Sequence, residues 1–161
     1  MRRLLVPLLA LMVVPTATAA FSVTLSNTSP QTFAAITLNG VDQTKTLPLT
    51  ITVVNTGGTN GLGWNVTAAA AAPTSAAGTL LPLQVTAVSA AACTGGQCVN
   101  PSNSIGVPVT LSATPAKIFN ATAGTGTGSV ILTATLQMTY DAKALPATYT
   151  SSLTVTGATG P

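Results

Sequence analysis

Catalytic chemistry needs groups that take up and release protons near neutral pH, and this chain carries almost none. There is no histidine and no glutamate, and the only carboxylate side chains are Asp42 and Asp141. A Ser-His-Asp or Cys-His relay is therefore impossible to assemble. Paired carboxylates would have to be these two aspartates, and nothing in their spacing brings them together, so both read as solvated loop residues. Two carboxylates are also few for a calcium site unless backbone carbonyls complete it. Cys93 and Cys98, the only cysteines, are spaced C-x4-C across Thr94-Gly95-Gly96-Gln97. Zinc would need four ligands, and no further cysteine or histidine exists to supply them. The glycine run Gly124-Thr125-Gly126-Thr127-Gly128 lacks a following Lys-Ser/Thr and precedes a strand, whereas a phosphate loop opens a helix. No enzyme activity, cofactor or metal is expected.

What remains is chemistry of contact. The single tryptophan, Trp64, and the two tyrosines, Tyr140 and Tyr149, are the residues with ring faces and polar tips suited to a ligand. Trp64 has two readings, a buried core residue or an exposed ligand platform. Its apolar neighbours on the same strand face favour the core. Asn27-Thr28-Ser29, Asn65-Val66-Thr67 and Asn120-Ala121-Thr122 match the N-glycosylation pattern, which a threonine-rich chain meets often by chance.

The elements that must position these residues read as strands throughout. Leu62, Trp64, Val66 and Ala68 alternate with Gly63, Asn65 and Thr67, after a turn-rich run at Asn55–Gly61. Phe21, Val23 and Leu25 alternate with Ser22 and Thr24, and Leu47, Leu49, Ile51 and Val53 with Pro48, Thr50 and Thr52. Phe33–Leu38, closed by Asn39-Gly40, is a weaker candidate for a hairpin strand. Leu81–Ala87 and Ile105–Leu111 alternate as well. Pro48 and Pro108 cannot donate to a ladder, which places them at strand ends or sheet edges. Residues 114–128 read as loop. Val130, Leu132, Ala134, Leu136, Met138 and Tyr140 share one face, and the turn Asp141–Pro146 leads to Tyr149, Ser151, Leu153 and Val155, a pattern expected to form a long antiparallel hairpin. About eight short strands of this kind describe an all-β, antiparallel, Greek-key-like β-sandwich.

At the N-terminus, Met1-Arg2-Arg3, an apolar run over Leu4–Val14 and Ala17-Thr18-Ala19 have the layout of a secretory signal peptide, residues 1–20. Pro7 and Pro15 interrupt the run and it falls short of the roughly 20 residues of a membrane span, so no transmembrane segment is expected after cleavage. Residues 21–161 then form one domain of secreted or surface location. In an exported chain, Cys93 and Cys98 are expected to form a disulfide, a local staple turned by Gly95-Gly96. The domain keeps three lysines and two aspartates, a net charge of +1. Nucleic-acid binding needs clustered cations that three scattered lysines cannot supply. So weak a charge also leaves little repulsion between copies.

Gly61-Leu62-Gly63-Trp64-Asn65-Val66, the glycine-rich loop before a long strand, and the closing Pro-Ala-Thr-Tyr-Thr-Ser-Ser-Leu-Thr-Val-Thr together resemble the WxL family of bacterial surface domains. The last strand of that family reads Tyr-x-x-x-Leu-x-Trp-x-Leu; Tyr149 and Leu153 fit, and Val155 stands where the second tryptophan belongs. Val66 likewise replaces the Leu of the first motif. The resemblance implies an exported, β-rich module bound non-covalently to cell-wall glycan, peptidoglycan. The C-terminal strand is also similar to coat and pilus subunits of the spore coat U type, which implies self-assembly by exchange of a strand between copies. The chain shows neither a sortase-type anchor nor an apolar C-terminal tail, so attachment to the surface is expected to be non-covalent.

Overall fold

The computed structural model describes residues 21–26, 31–56 and 62–161. The expected signal peptide, the Asn27 glycosylation motif and most of the turn-rich run before Trp64 lie outside them. Every regular element among the described residues is a strand: β1 (Phe21–Leu25), β2 (Gln43–Asn55), β3 (Trp64–Ala70), β4 (Thr74–Ser75), β5 (Gly78–Thr79), β6 (Gln84–Ala90), β7 (Thr94–Val99), β8 (Val109–Thr110), β9 (Ala116–Ala121), β10 (Thr127–Tyr140) and β11 (Leu153–Thr159). All pairings are antiparallel. The expected all-β, sandwich-like architecture is what the chain adopts. No helix of the described residues is long and apolar enough to cross a membrane.

Two long strands make the spine. β2 and β10 pair over their full overlap, from Gly128 opposite Asn55 to Tyr140 opposite Gln43. Their alternation dictates the layers. Leu49, Ile51 and Val53 of β2 and Val130, Leu132, Ala134, Leu136 and Met138 of β10 are buried, and the threonines between them face out. Burying one such aliphatic side chain stabilises the fold by about 1.5–3 kcal/mol. The large sheet runs β1-β2-β10-β6-β8, with β7 also on β10; a second sheet runs β11-β3-β9 and closes over the core. β1 and β11 lie side by side where the two sheets meet, without a ladder between them. There Gly157 leaves the space filled by Val23 and Phe21: a Cβ on it would collide with Val23 and stand 3.1 Å from the Phe21 ring.

Four sequence expectations are corrected. β10 and β11 do not form a hairpin: β2 occupies one edge of β10 and β6 with β7 the other, so β11 crosses to β3. Residues 114–128 are not all loop. β9 lies within them, and the ladder shifts register between Val66 and Thr67; the bulge at Ile118 turns Ile118 and Phe119 to the core together, and the 102–105 loop covers Asn120, so Ile118–Ala121 are all buried and the period-two signal disappears. Phe33–Leu38 is irregular rather than a strand, with Phe33, Ile36 and Leu38 half-buried at uneven spacing and Phe33 packed on the core. Of the stretch at 105–111, only Val109–Thr110 pairs, as the outermost strand.

The prolines sit where their missing N–H is harmless. Pro108 precedes the edge strand β8. Pro48 lies within β2, but β1 covers only Ile51–Asn55. Ser26 N donates to Thr50 O at 3.0 Å, so by strand alternation Pro48 points to the same edge, beyond the end of the β1 ladder.

Candidate functional site

The two ends of the sandwich differ in chemistry. At one end lie Asn55, Trp64, Gly126, Gly128 and Phe21, together with Gly160, whose N–H donates to Gly63 O at 2.9 Å. At the other lie the start of β2, the end of β10 and the turn that follows it. β10 spans the distance between them, about 45 Å for its 14 residues.

The indole of Trp64 is a core residue. It is 0% exposed, stacked on Phe119 at 5.7 Å between ring centroids, with Phe21 at 6.4 Å. Its Nε1–H donates to Gly126 O at 2.7 Å. Gly126 is a glycine of necessity: φ is +72°, and a Cβ would collide with the indole nitrogen and, at 2.5 Å, with Ala121. The glycine run that could pass for a phosphate loop is thus the lid and hydrogen-bond acceptor of the tryptophan. No surface ligand reaches this ring as the protein is folded. Asn65 and Asn120 are likewise buried, 8% and 4% exposed. Asn65 Nδ2 donates to Gly160 O at 2.7 Å, and Asn120 Nδ2 to Ser104 Oγ at 3.0 Å while its Oδ1 accepts from Ser104 N at 2.7 Å. Both amides are spoken for within the fold, as anchors of the C-terminal stretch and of the 102–105 loop.

Tyr140 and Tyr149 converge. Both are half-buried against the core, and Tyr149 Oη donates to Leu145 O at 2.9 Å. Burial pushes the Tyr140 phenol above its usual value of 10.0, and the neighbouring Tyr149 adds to the rise. Around them gather four of the five charged residues between 21 and 161: Asp42, Lys45, Asp141 and Lys143. The exception, Lys117, donates from Nζ to Pro161 O at 2.8 Å. The aspartates, expected to stay apart, meet at one turn. Asp42 Oδ1 accepts from Ala142 N and Asp141 Oδ1 from Lys143 N, each at 2.8 Å. Each carboxylate thereby caps the turn that carries the chain from Tyr140 toward Tyr149. Val41 and Leu145, 57% and 56% exposed, complete the pole with apolar surface.

Sequence reasoning singled out the tyrosines and missed Val41, Asp42, Lys45 and Leu145 as their neighbours. The signal needed was the β2–β10 pairing, which sets Tyr140 opposite Gln43; a β10–β11 hairpin hides it. Cys93 and Cys98 form the expected disulfide, with Cα atoms 5.7 Å apart. Among the described residues no group of three His, Cys, Asp or Glu side chains lies together to hold a metal. The arrangement can do recognition: two phenol rings, ammonium and carboxylate groups, and exposed aliphatic surface within one patch of an otherwise hydroxyl-covered shell. No family model, curated protein or solved structure matches the chain.

Proposed function

We propose that this protein is an exported, non-catalytic cell-surface module that binds cell-wall glycan, peptidoglycan, through the pole built by Tyr140 and Tyr149. One observation carries the reading: both tyrosines and nearly all the charge of the domain collect in one place. Half-buried tyrosines keep rigid ring faces for the C–H surface of a sugar and lose little side-chain entropy on binding. Lysine and aspartate beside them suit the carboxylates, amines and amides of a peptide-bearing glycan. The buried Trp64 changes what the WxL resemblance implies. If its indole is for packing, a valine at 155 in place of a second tryptophan is a change in the core boundary, not the loss of a ligand contact.

The test is co-sedimentation of the purified protein with isolated cell-wall sacculi. Binding should be saturable and should fall about tenfold or more in a Tyr140→Ala, Tyr149→Ala double variant that still melts cooperatively, as expected for loss of two aromatic contacts. Equal binding by the double variant would refute this pole as the contact.

A second reading, a self-assembling coat or pilus-type subunit, is favoured by β1. Among the described residues that strand is held by a ladder on one side only, at the edge of the large sheet, and carries apolar residues into the seam beside β11. Sedimentation without sacculi, with filaments in electron micrographs, is its signature.

A further inference from the structure

The geometry points to a second binding site, at the opposite end of β10, for an uncharged, hydroxyl-rich ligand of one or two sugar units. A cavity of about 540 Å³ opens there between the end of β2, the disulfide-closed β7 and the start of β10. That volume falls within the roughly 300–1,000 Å³ of small-molecule clefts.

The cavity is the product of an unusual ladder. β7 pairs with β10 at Val99 opposite Thr127 and at Thr94 opposite Ser129, so the residues between Thr94 and Val99 loop out over the single residue Gly128. Gly128 has φ +88°, and a Cβ there would stand 2.6 Å from Thr94 O and 3.6 Å from the Cys98 Cα. Glycine lets the two backbones close at the base while the loop arches above. Three ties hold that arch. The Cys93–Cys98 disulfide joins its feet, Cys93 N donates to Asn100 Oδ1 at 2.9 Å, and Val99 N donates to Thr127 Oγ1 at 3.0 Å. The wall is therefore ordered before any ligand arrives, which lowers the entropy cost of binding.

Its lining selects the ligand. Asn55, Thr94, Gln97 and Ser129 bring amides and hydroxyls to a lining whose surface is otherwise mostly apolar, Val54 included, the mix that a sugar's ring face and hydroxyls meet. Asn55 Nδ2 is steadied by Gly126 O at 3.3 Å. Amides and hydroxyls both donate and accept, as sugar hydroxyls do. The lining carries no charge, so an ionic ligand would lose its hydration without gaining a counter-charge. Strand bulges commonly mark such sites.

The site is separate from the tyrosine pole, and its test separates the two. Cellobiose, N,N′-diacetylchitobiose and, as a charged control, glucuronate are titrated into isotopically labelled protein and followed by amide chemical shifts. The neutral disaccharides, or one of them, should give saturable shifts centred on Asn55, Thr94, Gln97 and Ser129, with glucuronate giving none. Gln97→Ala should weaken binding about three- to tenfold, the effect of one lost hydrogen bond, and Ser129→Leu should block the cavity. Reduction of the disulfide should also weaken binding, whereas the Tyr140→Ala, Tyr149→Ala variant should bind as the parent does. No saturable shift with either disaccharide, shifts confined to the tyrosine pole, or full binding by Ser129→Leu would overturn the proposal.

Discussion

Trp64 shows how one side chain can organise a fold without touching a ligand. It fills the space between β3, β9 and β1, and its N–H satisfies the carbonyl of a loop residue 62 positions away. Trp64→Ala should cost about 3–5 kcal/mol in urea denaturation followed by circular dichroism. Trp64→Phe keeps the stacking but removes the shorter of the two hydrogen bonds to Gly126 O, leaving Asn55 Nδ2 at 3.3 Å, and should cost about 0.5–1.5 kcal/mol. The native indole should emit at short wavelength, resist quenching by iodide, and stay unchanged when sacculi are added; a shift on binding would place the ligand at this end instead. Tyr140 makes a different prediction. Its phenol ionises at higher pH in the folded protein than in the unfolded chain, so this contribution is constant below pH 10. Above it the unfolded chain loses its proton first, and stability falls with pH until the folded value is passed. Tyr140→Phe should flatten that alkaline limb of a pH–stability curve.

Among elements, β2 and β10 were legible from sequence because each keeps strict alternation over many residues and buries one face only. β9 was hidden because a bulge at Ile118 and the loop covering Asn120 leave four successive residues, Ile118–Ala121, buried. β6 is bulged too: the ladder shifts between Thr135 and Leu136, so that Val88 faces Ala134 while Val85 faces Leu136. Partner choice was less legible than strand existence. Adjacent strands joined by a short turn are expected to pair, yet β2 takes one edge of β10 and β7 and β6 take the other from Thr127 to Gln137, leaving no edge long enough for β11. The tyrosine pole was half-read for the same reason: its residue types were visible and their neighbours were not. Native-state hydrogen exchange should follow the same hierarchy, slowest at the inner β2–β10 ladder around Ile51 and Leu132 and fastest in β1 and the β4–β5 hairpin. Reduction of Cys93–Cys98 opens a loop at the periphery of β10, so it should lower stability by only about 2 kcal/mol in the chain-entropy model, with the fold retained.

Over the described residues, the shell is uncharged except near the tyrosines and at Lys117, which makes this part of the chain a polar object with one distinctive end. The first described residue and the last ones share the end opposite the tyrosines, Phe21 against Gly157 and Gly160 against Gly63. That placement governs how the protein carries mechanical load. Pulling Phe21 sideways, away from Gly160, peels β1 from β2 one hydrogen-bonded pair at a time, a low-force route because each pair is loaded alone. Pulling Phe21 against the tyrosine pole loads the same pairs in shear, and pulling Gly160 against it loads the β11–β3 ladder in shear. All of them must then yield together, and the indole beneath stays covered. A module gripping a wall by its tyrosines and tugged from Phe21 or Gly160 would be strained in its stiff direction, and single-molecule force spectroscopy with the two attachment geometries should read a clear difference in rupture force.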